Sequence, residues 1–284
     1  MRIGSWITVA VMAFAATSWS NEGVGKLSTG CGGPPPDAPL SVVEVDSRMR
    51  EFISALPADY DPTVAHSLVF AFHGRTTPNT KVRRYFGLEE ASSRPSIFVY
   101  PAALVAEDGK YSWYEPGQPG DRLRDYAFFD ALLELFGDTY CIDLDRVFVV
   151  GHSLGGSFAN SLGCARGAVI RGVGTVAGRI WESRCSGPSA AMIIHNPNDD
   201  LVPVSRGLHA RDWALAQNGL EASGRACEPA ALSCECYGSP EAADPVVWCP
   251  HTQDVDRSGR TYPHLWPTGA GAAIMGFLES LPGQ

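Results

Sequence analysis

The stretch Gly151-His152-Ser153-Leu154-Gly155 narrows the folds open to this chain more than any other, because it directly follows the apolar run Arg146-Val147-Phe148-Val149-Val150. A strand running into Gly-x-Ser-x-Gly makes a sharp strand-to-helix turn that presents the serine hydroxyl at the edge of a sheet. Side chains at positions 151 and 155 would crowd that turn, and Gly156 lets the following helix pack closely. Ser153 is therefore the candidate nucleophile. The rival is a phosphate-binding turn, but no Lys-Ser/Thr follows the glycines as a P-loop requires.

A serine hydroxyl needs a base, and the base needs a group to orient it. Both lie downstream, in the order serine, acid, histidine that the α/β-hydrolase fold uses. The acid comes from Ala190-Ala191-Met192-Ile193-Ile194-His195, a short apolar strand that leaves into Asn196-Pro197-Asn198-Asp199-Asp200. A carboxylate just past a strand's C-terminal end can reach a histidine on the next loop. Asp199 and Asp200 both qualify, and Asp199 is preferred. The histidine is His264, in Tyr262-Pro263-His264-Leu265-Trp266-Pro267, with prolines to stiffen the loop and a helical pattern over 270–281 behind it. His251 is the reserve; His195 and His73 are the other contenders. An oxyanion hole needs two backbone N–H groups aimed at the charge that develops on the tetrahedral intermediate. Leu154, next after the nucleophile, supplies one. The other comes from Arg75 or Thr76, where the strand-like Ser67-Leu68-Val69-Phe70-Ala71-Phe72 ends in His73-Gly74-Arg75-Thr76.

Strand patterns at 48–56, 67–72, 96–101, 146–150, 172–178, 190–195 and 245–248 alternate with helical ones at 81–92, 121–140 and 270–281. This alternation predicts a mostly parallel sheet covered by helices on both faces, in one catalytic domain over 41–284. The 284 residues, 45% hydrophobic, suffice for such a core. A net charge of −9 argues against nucleic acid and anionic membranes as partners. Residues 1–20 have the pattern of a secretory signal peptide: Arg2, an apolar core from Ile7 to Ala16, then small residues. The core is too short to serve as a membrane anchor. A polar stretch separates it from Cys31, against a lipid-anchored cysteine. Residues 21–40, with Gly-Gly-Pro-Pro-Pro at 32–36, are expected to be extended. Eight cysteines in a secreted chain predict four disulfides, with 227–249 stapled ahead of His264. Cys234-Glu235-Cys236 is too tight for a usual zinc knuckle, so no metal is expected.

The landmarks go further than the fold. They are Gly30-Cys31-Gly32, Leu56-Pro57-Ala58-Asp59-Tyr60-Asp61, Leu68 to Arg75, Tyr140-Cys141-Ile142-Asp143-Leu144-Asp145-Arg146-Val147, the serine turn, Asp199 with Val202-Pro203, and His264 with Trp266-Pro267. From about Cys31 to the C-terminus the chain resembles the secreted esterases of carbohydrate esterase family 1, in particular feruloyl esterases related to polyhydroxybutyrate depolymerases. The resemblance implies a cofactor-independent Ser-His-Asp esterase acting on feruloyl or acetyl esters of plant cell-wall polysaccharide. A polyester depolymerase is the alternative within the class, and a non-catalytic binding protein on the same fold is the alternative outside it. In such families the acid sits in a His-x-x-x-Asp-x-x-Val-Pro pattern, which falls on Asp199. Two departures stand out: many relatives have His-Gly-Thr-Ala-Asp at the acid turn, and the 249–264 stretch is longer than usual. Trp113, Trp181 and Trp266 are the candidate substrate contacts, since aromatic faces suit phenolic acids and sugar rings.

Overall fold

Along the buried strands, alternate side chains serve opposite layers of helices, which is why the sequence reads as apolar throughout these runs. Leu68, Phe70 and Phe72 face a cluster with Phe129, Leu132, Phe136, Phe158 and Leu162, whereas Val69 and Ala71 face one with Val82, Phe86, Ile274 and Leu278. The computed structural model describes residues 26–114, 124–239 and 242–283. The expected signal peptide, and residues 121–123 of the expected helix, lie outside them.

The strands are β1 (Val42–Val45), β2 (Arg48–Ala55), β3 (His66–Phe72), β4 (Ser96–Pro101), β5 (Leu104–Val105), β6 (Tyr111–Ser112), β7 (Ile142–His152), β8 (Gly172–Val176), β9 (Ala190–His195), β10 (Arg225–Ala226), β11 (Glu235–Tyr237) and β12 (Val246–Pro250). The helices are α1 (Asn79–Phe86), α2 (Leu88–Ala91), α3 (Arg124–Thr139), α4 (Leu154–Ala165), α5 (Val204–Gln217) and α6 (Ala270–Ser280). Ten strands form one sheet in the order β1-β2-β4-β3-β7-β8-β9-β12-β11-β10, and β5–β6 is a separate ribbon. The six strands from β4 to β12 run parallel, with antiparallel strands added at both ends. This is the α/β-hydrolase arrangement, and it puts the C-terminal ends of β3, β7 and β9, with the loops that follow them, along one rim.

Some expectations need adjusting. The helix expected over 81–92 is two helices, because Gly87 takes a left-handed conformation (φ 64°) that ends α1. The chain neighbours β2 and β3 do not pair; β4 inserts between them. Within the 21–40 segment expected to be extended, residues 29–32 form a turn that is tied to the domain. Leu27 bridges to Asp143, Ser28 N donates to the Ile142 carbonyl, and Cys31 is bonded to Cys141. The other disulfides are Cys164–Cys185, Cys227–Cys236 and Cys234–Cys249. Both cysteines of Cys234-Glu235-Cys236 are thereby used, and the last bridge fastens the 227–236 excursion to β12, just before the loop that carries His264.

Candidate active site

Ser153 sits between β7 and α4 at φ 58° and ψ −123°, a left-handed backbone that a non-glycine residue adopts only at a cost of about 1–3 kcal/mol. The surroundings hold it there. Ser153 N–H donates to the Val176 carbonyl at 2.9 Å. A Cβ at Gly155 would drive into the backbone carbonyls of Phe72 and His73, and one at Gly151 into that of Gly155. The two glycines are thus needed for close approach.

The turn delivers the serine to its partners. Ser153 Oγ–H donates to His264 Nε2 at 2.7 Å, and His264 Nδ1–H donates to Asp199 Oδ2 at 2.6 Å. Since a carboxylate only accepts, Asp199 fixes the tautomer that leaves Nε2 free to take a proton. Asp199 Oδ1 accepts the amides of Leu201 and Val202 at 3.0 and 2.9 Å, so the carboxylate cannot rotate away. Burial alone would push the Asp199 carboxyl up. The neighbouring His195, the hydrogen bond from His264 and that from the Val202 amide outweigh it and hold the group well below the usual carboxylate range. Asp200 points to solvent.

The rival histidines have other partners. His195 Nε2–H donates to the Val202 carbonyl at 2.7 Å and lies 3.5 Å from Asp199 Oδ2, bracing the acid turn from behind. His251 accepts from the Gln253 amide at 3.3 Å through Nδ1, and burial and His195 push it down to about 4. His73 Nδ1–H donates to the Gly74 carbonyl while Nε2 accepts from the Ala103 amide, and burial lowers it to about 4.

The two departures at the acid turn and the long loop are coupled. Asn196 Nδ2 donates to the Gln253 carbonyl at 3.0 Å and to Asp254 Oδ1 at 2.8 Å, and Asn198 Nδ2 donates to Asp254 Oδ2 at 3.0 Å. The asparagines at the acid turn clamp the longer loop to it. Gln253 closes the other side, accepting the Thr268 amide at 2.8 Å. Sequence reasoning also missed His152 and Tyr85. His152 Nε2–H donates to the His264 carbonyl at 3.1 Å and Nδ1 accepts from Tyr85 Oη at 3.0 Å. Burial and the neighbouring His264 push His152 down to about 3, so it stays neutral, and burial pushes the Tyr85 hydroxyl up, so it stays a donor. The variable position of the serine motif was the signal for His152; no local pattern marked Tyr85.

The serine opens into a cleft of about 1010 Å³. Its walls are the 74–77 loop with α1, and the 253–262 loop, which folds back on itself through a Val255–Thr261 bridge. Gly74 is so close that a Cβ there would lie 3.3 Å from Ser153 Cβ, and Arg75 and Thr76, next along the loop, line the cleft beside it. Leu154 opens α4, where the first amides have no partner within the helix. Of the three tryptophans, only Trp266 lines the cleft, stacked on Phe86 at 3.8 Å. Trp113 is fully buried, stacks on Phe158 and donates to the His73 carbonyl at 2.8 Å; it supports the 73–76 loop from beneath and cannot touch substrate. Trp181 packs on the same aromatic cluster with its amide on Ser161 Oγ, away from the cleft.

This geometry can carry serine acyl transfer, and the proteins this chain is similar to are esterases. Feruloyl esterase C of Emericella nidulans is 31% identical over 206 residues, covering 69% of this chain and 71% of that protein. The chain belongs to the feruloyl esterase family. Feruloyl esterase D of Neurospora crassa is 28% identical over 254 residues, 82% of this chain and 83% of the relative. Among solved structures, a family 1 ferulic acid esterase from Anaeromyces mucronatus in complex with ferulic acid superposes with a TM-score of 0.54 at 15% identity, over 86% of this chain and 90% of that one. A Bacillus cereus carboxylesterase gives 0.57 at 11% identity, over 81% and 93%. These likenesses show the shared fold. No protein-family model matches the chain. As a member of this family it is a serine carboxylic ester hydrolase.

Proposed function

We propose that this chain is a secreted esterase that releases ferulate from plant cell-wall polysaccharide, with Ser153 as nucleophile, His264 as general base and Asp199 as the group that orients the base. The observation that carries the proposal is the unbroken chain from Ser153 Oγ through His264 to Asp199 Oδ2, with links of 2.7 and 2.6 Å, at the floor of the cleft. His264 Nε2 takes the hydroxyl proton as Ser153 Oγ bonds to the ester carbonyl carbon. The resulting oxyanion receives the Leu154 N–H and a second N–H from Arg75 or Thr76. His264 then gives the proton to the leaving sugar alcohol as the C–O bond breaks. Water, deprotonated by the same nitrogen, attacks the acyl-serine and frees the acid, while Asp199 stays ionised throughout.

Ferulate as the acyl group is supported by the names of the relatives and by Tyr85, Tyr262 and Trp266 in the cleft walls, which can hold a phenolic ring. Secretion is supported by four disulfides with no free cysteine among the described residues. The test is hydrolysis of methyl ferulate beside a matched acetyl ester. We expect ferulate release that falls by about 10⁴-fold or more in Ser153→Ala. Turnover of the acetyl ester alone would reject the feruloyl assignment.

A further inference from the structure

The chain as a whole is acidic, at −9, yet the described lining of its cleft is not. Among the described residues, the cationic side chains of Arg75, Lys81, Arg84, Arg179, Arg257 and Arg260 line it with one carboxylate, Asp256, and Arg179 is itself engaged. That carboxylate is engaged: it lies 3.1 Å from Arg260 and accepts from Ser258 and the Arg260 amide. Arg75 is likewise matched by Asp108 at 2.7 Å. Lys81, Arg84 and Arg257 are different. They are exposed and make no ion pair among the described residues. Two stand on α1 and one on the opposing 255–261 hairpin, so unneutralised positive charge faces the mouth from both walls.

Concentrating cations at one cleft of an acidic protein focuses an attractive field on anions there. From this we infer that the cleft recognises carboxylate-bearing saccharide chains, and that the esters it prefers sit on or beside uronic acid units. The inference rests on the esterase reading of the cleft and adds the charge of the alcohol side to it. A nucleic acid strand fits less well. Its dense phosphate charge would meet the repulsive field of the rest of the surface, whereas a uronic acid chain carries at most one charge per ring. Tyr85, Tyr262 and Trp266 beside the cations supply faces for sugar rings.

The test uses the full chain and p-nitrophenyl acetate, a neutral activated ester that reports serine turnover whatever the preferred acyl group. Oligogalacturonate and a neutral xylo-oligosaccharide of equal length are compared as competitive inhibitors at about 0.01 M and about 1 M salt, where the screening length shrinks from about 30 to about 3 Å. Oligogalacturonate is expected to bind about tenfold or more tighter at low salt, and to lose that advantage at high salt. The triple variant Lys81→Gln/Arg84→Gln/Arg257→Gln should lose it at low salt, with the neutral oligomer as internal reference. Equal inhibition by the two oligomers, a preference insensitive to salt, or one that survives the triple substitution would overturn the inference. So would equally strong inhibition by an oligothymidylate. Absence of any turnover would instead overturn the esterase reading, and calorimetric binding of the same two oligomers would then decide the inference.

Discussion

Replacing Asp199 by Asn leaves the shape of the site intact and inverts its proton logic. Oδ1 already accepts the Leu201 and Val202 amides, so in Asp199→Asn the amide oxygen keeps that place and the NH₂ group faces His264. An NH₂ group can only donate, so His264 Nδ1 must accept and the ring proton moves to Nε2, which faces Ser153 Oγ at 2.7 Å. In that tautomer the base cannot take the serine proton. Restoring the productive tautomer would press Nδ1–H against the NH₂ group in a buried site, at about 1–3 kcal/mol for the unsatisfied donors. The charge-assisted bond, worth about 1.5–3 kcal/mol, is lost as well. Together with the lost stabilisation of the imidazolium, about 4–6 kcal/mol accrues, or roughly 10³–10⁴-fold in kcat. The assay is steady-state hydrolysis of p-nitrophenyl acetate at neutral pH, with a thermal melt to establish folding. A folded variant within about tenfold of the parent would refute this account of Asp199.

Three more outcomes are expected. His73, His152 and His251 are held near 4, 3 and 4 in the folded chain and titrate near 6.5 when unfolded, so the unfolded state binds the extra protons. Stability should be complete above about pH 6.5 and fall as pH drops toward 4, by up to about 1.4 kcal/mol per pH unit for each histidine; a melting temperature flat across pH 4–6.5 would contradict this. Replacing both Cys234 and Cys249 by Ser opens a link of sequence separation 15, worth about 3 kcal/mol, and should lower the melting temperature while kcat at 25 °C persists; lost activity in a chain that still melts cooperatively would show that the bridge shapes the site. Gly155→Ala should cost about 3 kcal/mol or more, because the methyl meets backbone carbonyls rather than a movable side chain, and a melt unchanged from the parent would argue against the close approach at the turn.

What the sequence made legible follows from how local the signal was. The serine turn, the acid strand and the parallel core are written in contiguous residues whose pattern the fold uses directly. α5 went unread because the residues it buries are Gly207, Ala210 and Leu215, too small and sparse to mark a helix face. Two of the three tryptophans misled because an aromatic side chain looks alike in sequence whether it lines a cleft or fills a core. Trp113 is wholly enclosed, whereas Tyr85, inside the expected helical stretch, turned out to face the site. The grip of Asn196 and Asn198 on Asp254 joins residues more than fifty positions apart. Only the folded chain shows that the unusual acid turn and the long loop are one feature.

The account stands on Ser153 being the activated nucleophile, and covalent trapping tests that most directly. The protein is treated with a fluorophosphonate, its intact mass is measured, and the adduct is located by peptide mapping, with Ser153→Ala and His264→Ala alongside. One adduct on Ser153, absent from the first variant and strongly slowed in the second, is the expected result. An unmodified chain, or an adduct on another residue that forms equally fast in Ser153→Ala, would contradict the account.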